Sequence, residues 1–511
     1  MAGRVDLADL PFRIFGALFL VLFGLVCVPL LLTKLPPLVD YPNHLARMYL
    51  LASLDHVSAL RQFYEIAWRP VPDLAMDTLV PPLLRVLPLE WAGKLFLAIT
   101  FFLLTAGTAA LHRVLHRRWS AWPLLAFLFI YNRLLLWGFL NFLFGLGLAL
   151  MAFTIWLALR RRRAAFRIAI GLVLAVAVYF SHLMAFGAYG AMVLGHAAGE
   201  AWRRRDFGRP AEWMIAFLPL LPGVLMFVVL FIPLHLTTQL GSMGIHFAQP
   251  LRKFDLMFSV FDDYSRPFDV ACFAAAVIAM GVGYWRGWIK LAPELVGPLL
   301  FLLLLYIVMP STMFSANGAD RRLPLVMALV LIGASAWQAN ASRTRFWFFT
   351  AAAGLFVARM AVVAASWQAS GRVYAEILPG FDAVPRGARL AVAYPGAELN
   401  VEATPLAHFT LMAIPLRDAF VPTLFAYVSQ QPVTFTPQAL PLLDGFSADG
   451  YWKFFVEGHA YDNPRSPLAL AQYDYIAFAS KQSFELRRED GLQPVFVSPR
   501  FRIYRLPGRN S

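Results

Sequence analysis

The chain has 511 residues, 59% of them hydrophobic and 14% charged, a composition outside the range of soluble globular domains. Its net charge of +14 falls in short clusters between apolar runs, as in the loops of a polytopic membrane protein, which sets nucleic acid aside as a partner. The two cysteines, Cys27 and Cys272, lie inside apolar runs, which argues against a disulfide framework and a thiolate metal site.

A membrane-crossing helix needs about 20 apolar residues, and the sequence offers about eleven such runs. They lie near 12–33, 91–111, 120–132, 137–159, 165–181, 183–200, 213–234, 269–285, 295–310, 323–338 and 346–367. No small-residue cleavage signature follows the first, which reads as a retained anchor. Basic clusters fall in every second loop: Arg113, Arg117 and Arg118; Arg160 to Arg163 with Arg167; Arg203 to Arg205 with Arg209; Arg286 with Lys290; Arg343 with Arg345. This alternation puts the N-terminus inside and the C-terminus outside. One set of loops then faces outward together: about 34–90, Tyr131-Asn132-Arg133, Ser181-His182, about 234–268, and the stretch ending in Asp320-Arg321-Arg322.

Beyond a membrane domain over 1–369 the pattern changes. Alternating segments at Arg389 to Tyr394, Tyr473 to Ala479 and Pro494 to Arg505 predict strands, the last folded into a hairpin at Ser498-Pro499-Arg500. A small soluble α/β domain over 370–511, outside the membrane, is expected. No internal repeat stands out, which weighs against transporter folds built from paired halves.

Asp40 follows the first apolar run, in Lys34-Leu-Pro-Pro-Leu-Val-Asp40-Tyr-Pro-Asn-His44-Leu-Ala-Arg47. Leu45, Met48, Leu51, Leu54 and Val57 recur at helical spacing, which suits a helix lying in the membrane interface, with Pro42 near its start. The partial positive charge of that helix's N-terminus favours an ionised carboxylate. Such a group at an apolar boundary is equipped to take a proton from an alcohol; its bland alternative is a turn or helix cap. His44, four residues on, either orients a phosphate or hydroxyl or is a simple interface histidine.

Asp320, Arg321 and Arg322 precede a membrane run on the outward side, against the positive-inside trend. Arginine's planar fork matches phosphate oxygens; snorkelling to headgroups, with Asp320 pairing locally, is the competing role. Arg133 is a similar candidate. His182, between two closely spaced helices, faces a cavity or is a buried structural histidine. The 234–268 loop reads as a flap whose Asp262 and Asp263 touch sugar hydroxyls. His235, His246 and Asp255 in that loop lack metal-ligand spacing, so no metal is assigned. His408 and Arg417, next to Asp418, are acceptor contacts or solvated surface. A Walker-type phosphate loop, a dinucleotide fingerprint and a serine nucleophile elbow are all missing from the sequence.

A chain of about eleven helices, an Asp directly after the first, an interfacial helix behind it and a C-terminal extracytoplasmic α/β domain resembles the GT-C superfamily of polyprenyl-phosphate-dependent glycosyltransferases. The resemblance covers the layout of nearly the whole chain. It implies a multi-pass protein of the bacterial inner membrane with a periplasmic C-terminal domain, acting at the cell envelope among membrane lipids. A polyprenyl-phosphate-linked sugar is the implied donor, and a lipid, glycan or protein the acceptor. By resemblance Asp40 is the catalytic base, in one inverting displacement. Many relatives carry paired acidic residues where this chain has Val39 and Tyr41 around Asp40; no cofactor is implied, and a divalent metal stays open. Two rival classes remain: a ligase or polymerase of lipid-linked glycans, and a transporter or non-catalytic scaffold.

Overall fold

A computed structural model describes residues 7–238, 244–262, 264–314, 316–338, 342–396, 406, 408–489 and 491–507. Six helices among them are long and apolar enough to cross a membrane: Phe12–Leu32 (α1), Leu89–His116, Leu140–Arg161, Ala164–Ser181, Arg266–Trp285 and Arg343–Ala383. Pro210–Phe217 and Leu221–Thr237, bent by 62°, add a seventh if they form one span. Pro219 and Pro222 stand at that bend, where a missing backbone donor and a ring clash interrupt a helix. The remaining apolar runs form the helices Leu183–Arg204, Val296–Val308 and Leu323–Ala334.

The 120–132 run departs from expectation. It folds as a 3₁₀ helix over Trp122–Phe129, followed by the single turn Arg133–Trp137. Asn132 caps that turn, its Oδ1 accepting from Leu135 N at 3.1 Å, and Gly138 ends it with φ +90°. A side chain at this φ is strained, so glycine suits the stop.

One buried ion pair ties the bundle together. Arg359, on the helix Ser342–Ile377, donates to Asp269 Oδ1 at 3.0 Å, to Leu128 O at 3.1 Å, to Phe261 O at 2.9 Å and to Tyr131 O. Asp269 Oδ2 in turn accepts from Tyr264 N and Ser265 N at 2.9 Å each. A buried charge pair is tolerated when its remaining valences are satisfied in this way.

The helix Ser342–Ile377 runs on through Leu378–Ala383 into a four-stranded sheet. Its strands are ordered Leu390–Ala393, Tyr475–Ala479, Phe501–Arg505, Gln493–Val497; the first pair is parallel and the others antiparallel. The hairpin turn lies where the sequence placed it, with Ser498 N donating to Phe501 O at 2.9 Å. A second small sheet joins the two halves of the chain: Tyr64–Ile66 pairs antiparallel with Val433–Phe435.

The helix after Asp40 spans Tyr41–Ser53 (α2), and it is enclosed by protein, between the bundle and the C-terminal unit. Tyr41, Asn43, His44, Leu45, Arg47 and Met48 are all buried. Its polar face needs no water because it has protein partners: Asn43 Nδ2 donates to Thr423 O at 3.2 Å, Phe425 N to Asn43 Oδ1 at 3.0 Å, and Tyr49 OH to Asp418 Oδ1 at 2.5 Å. The helix stops at Ser53, before Leu54 and Val57 of the predicted apolar stripe.

Candidate active site

Asp40 occupies the N-cap position of α2, yet its carboxylate makes no capping hydrogen bond. Backbone contacts hold it instead against the turn at 136–138. Val39 N donates to Leu136 O at 2.9 Å and Asp40 N to Trp137 O at 3.2 Å. A Cβ on Gly138 would stand 2.8 Å from Asp40 Cβ, so the missing side chain is what lets the two segments meet.

His44 and Arg47, one turn into α2, brace this contact. His44 Nε2 donates to Gly138 O at 3.0 Å, while its Nδ1 accepts from Arg47 Nη2 at 3.2 Å. Arg47 is clamped to Asp77 in the helix Ala75–Leu83 at 2.6 Å and 3.1 Å. Burial pushes His44 down to about 3, so it is a neutral brace.

His408, from the C-terminal unit, brings its Nε2 to 3.4 Å from Asp40 Oδ1. Burial lowers His408 to about 4; the contact at neutral pH is between a neutral imidazole and a carboxyl group, not an ion pair. Burial also pushes the Asp40 carboxyl up to about 7, against the opposing charges of Arg47 and Arg322. A base works best with a pKa near its operating pH.

Arg322 is buried at the start of the helix Leu323–Ala334, its guanidinium 4.3 Å from the Phe139 ring centre and 5.8 Å from that of Phe142. Its Nη1 donates to Asn317 O at 3.0 Å, and its Nε is buried with no partner among the described residues. Burial brings it down to about 10, opposed by Asp73, Asp320 and Asp40, so it stays cationic at neutral pH. Asp320 Oδ2 accepts from Ser311 Oγ at 2.8 Å.

Asp73 completes the site, and the sequence reading did not single it out. It has φ +71°, a conformation that the local contacts impose. Asn141 Nδ2 donates to Asp73 O, Met76 N donates to Asn141 Oδ1 at 2.8 Å, and Leu74 N to Phe180 O at 2.8 Å. Its Oδ1 accepts from Leu183 N at 3.2 Å and lies 3.5 Å from His182 Nε2. His182 Nδ1 accepts from Met184 N at 3.0 Å, which leaves the ring proton on Nε2, facing Asp73. Burial keeps His182 well below the usual histidine range and raises Asp73 to about 6.

These contacts close a ring. From Asp40 it passes through Gly138 and Phe139 to Arg322, through Phe142 to His182, whose ring centre is 5.4 Å from that of Phe142, then to Asp73. It returns through the helix Ala75–Leu83, Asp77, Arg47 and His44. His408 covers Asp40 from the C-terminal side.

The other candidates stand apart. Arg321 sits beside the ring, its guanidinium 5.5 Å from the Trp137 ring centre. Arg133 lies 3.7 Å from Asp262, which also pairs with Arg266; Asp263 is outside the described residues. Arg417 turns away, its Nε donating to Val384 O at 2.7 Å and its Nη1 3.8 Å from Asp382. His235 is 3.2 Å from Ser429 Oγ. Among the described residues no cluster of three His, Cys, Asp or Glu side chains could hold a metal ion.

Fold and site together define a multi-pass helical membrane protein with a small C-terminal α/β unit and a charged site where the two meet. No protein-family model and no curated protein sequence matches the chain. Among solved structures it is similar to ArnT from Cupriavidus metallidurans bound to undecaprenyl phosphate, with 12% identity, a TM-score of 0.48 and 97% of each chain covered.

Proposed function

We propose that this protein is a GT-C type glycosyltransferase that moves a hexose or pentose from a polyprenyl-phosphate carrier to an acceptor hydroxyl. Asp40 takes the proton from that hydroxyl as its oxygen bonds to the anomeric carbon. The bond from that carbon to the phosphate oxygen breaks on the opposite face, so configuration inverts. Arg322, with Arg321 beside it, holds the departing phosphate, whose charge a guanidinium stabilises. His44 keeps Asp40 in place and His408 orients its carboxyl group. The acceptor, a lipid, glycan or protein, enters between the bundle and the C-terminal unit of 370–511. The site faces the periplasm of a bacterial inner membrane, with the N-terminus in the cytoplasm.

The observation that carries this reading is the Asp40 carboxyl itself: free of capping duty, held by backbone on both sides, and raised by burial to about 7. The fixed cation Arg322 within its field adds the anion-binding half of the chemistry. The test is incubation of the purified protein with a panel of radiolabelled polyprenyl-phosphate hexoses and pentoses and an envelope extract as acceptor. Labelled product with anomeric configuration opposite to the donor is expected; retained configuration refutes the single displacement.

A further inference from the structure

The ring contains a second carboxylate that the displacement does not use. Asp73 and Asp40 are the ring's most accessible acidic groups, with side chains 25% and 17% exposed, whereas Asp77 is buried and spent on Arg47. Asp73 is held with unusual care. Its backbone stands in the left-handed region, with its carbonyl taken by Asn141 Nδ2 and the following Leu74 and Met76 amides taken by Phe180 O and Asn141 Oδ1, and the amide of Leu183 holds the carboxylate itself. Strained positions that surrounding structure over-determines gather at functional sites. Its Oδ1 is taken by Leu183 N and faces the His182 proton; the accessible remainder of the group is acceptor capacity.

We infer that Asp73, with His182 behind it, is the subsite for the donor's sugar, accepting hydrogen bonds from ring hydroxyls while Arg322 holds the phosphate attached to that sugar. This rests on the transferase reading above. The roles follow the order of contacts: Arg322 meets Phe139 on the side of the turn that holds Asp40 and Phe142 on the side of His182 and Asp73, and in this assignment a phosphate held at Arg322 has its sugar turned to Asp73 and its anomeric carbon to Asp40. A hydroxyl hydrogen-bonded to a charged acceptor contributes on the order of tenfold in affinity or more.

The test is equilibrium binding to the full chain in lipid nanodiscs, with bare polyprenyl phosphate and a panel of polyprenyl phosphonate C-glycosides carrying hexoses or pentoses, which cannot be transferred. The wild type is expected to bind at least one sugar-bearing probe about tenfold or more tightly than the bare phosphate. Asp73→Asn, which keeps an oxygen for Leu183 N, is expected to erase that preference without lowering affinity for the bare phosphate; Asp40→Asn is expected to keep it. A preference that survives in Asp73→Asn, or is absent from every probe in the wild type, overturns the assignment. Equal loss for bare and sugar-bearing lipid in Asp73→Asn also overturns it, since that marks a merely structural residue. If Asp40→Asn still transfers sugar while the preference tracks Asp73, the base assignment falls and the subsite stands.

Discussion

The pH dependence of transfer separates a buried base at Asp40 from an ordinary surface carboxylate. With Asp40 raised to about 7, its ionised, proton-accepting fraction is about one-tenth at pH 6, one-half at pH 7 and nine-tenths at pH 8, so kcat/KM rises roughly tenfold across that window. An unperturbed aspartate titrates near 4 and predicts no change over it. The histidines of the site are silent in this range, because burial holds His408 at about 4, His44 at about 3 and His182 well below its usual value. Asp73, at about 6, changes its ionised fraction only about twofold over that window, so the profile repeated in Asp73→Asn should keep the roughly tenfold rise. Arg322 opposes the upward shift of Asp40, so in Arg322→Met the midpoint should move to higher pH as the rate falls. The assay is initial transfer at subsaturating donor between pH 5.5 and 8.5. A profile flat within twofold from pH 6 to 8 refutes Asp40 as a base of this kind.

Three more outcomes are expected. Asp40 is raised above its unfolded value, so its ionisation destabilises the folded state as pH rises from about 4 to 7, by up to about 4 kcal/mol; Asp40→Asn should therefore melt at higher temperature than wild type at pH 8, with the difference vanishing towards pH 4. Gly138→Ala forces a Cβ to 2.8 Å from Asp40 Cβ at φ +90°; it should cost about 1–3 kcal/mol of stability and lower transfer at least tenfold, checked by thermal shift and initial rate. Arg47→Met leaves Asp77 charged and unpaired in a buried setting, which should destabilise by about 3–5 kcal/mol. In Arg47→Met with Asp77→Leu most of that loss should return, as read by melting in detergent, though not the placement of Asp40.

The sequence is most legible where one residue type decides the outcome locally. Apolar runs gave helices, alternation gave the 389–394 and 473–479 strands, and Ser498-Pro499-Arg500 gave the hairpin. The 120–132 run broke because Asn132 caps and Gly138 stops a short turn, features too local for a hydropathy window. The helix Tyr41–Ser53 was legible as a helix, but its amphipathic pattern matched a membrane interface as well as a protein groove. Only the distant partners Thr423, Phe425 and Asp418 show the groove it fills. Asp73 was visible as Pro72-Asp73, with Asp77 four residues on. Its pairing with Leu183, some 110 positions away, depends on how two helices turn back on each other, which no spacing reveals. His408 stood between an acceptor contact and a solvated surface position for the same reason: its burial comes from the C-terminal unit closing over α2.

The most direct measurement of the central claim is the single-turnover rate of sugar transfer from a polyprenyl-phosphate donor, comparing wild type with Asp40→Asn of matched folding by thermal shift. A rate lower by about 10² to 10⁴ in the variant, with donor affinity retained, is the predicted result for the loss of a general base. An unchanged rate contradicts the account.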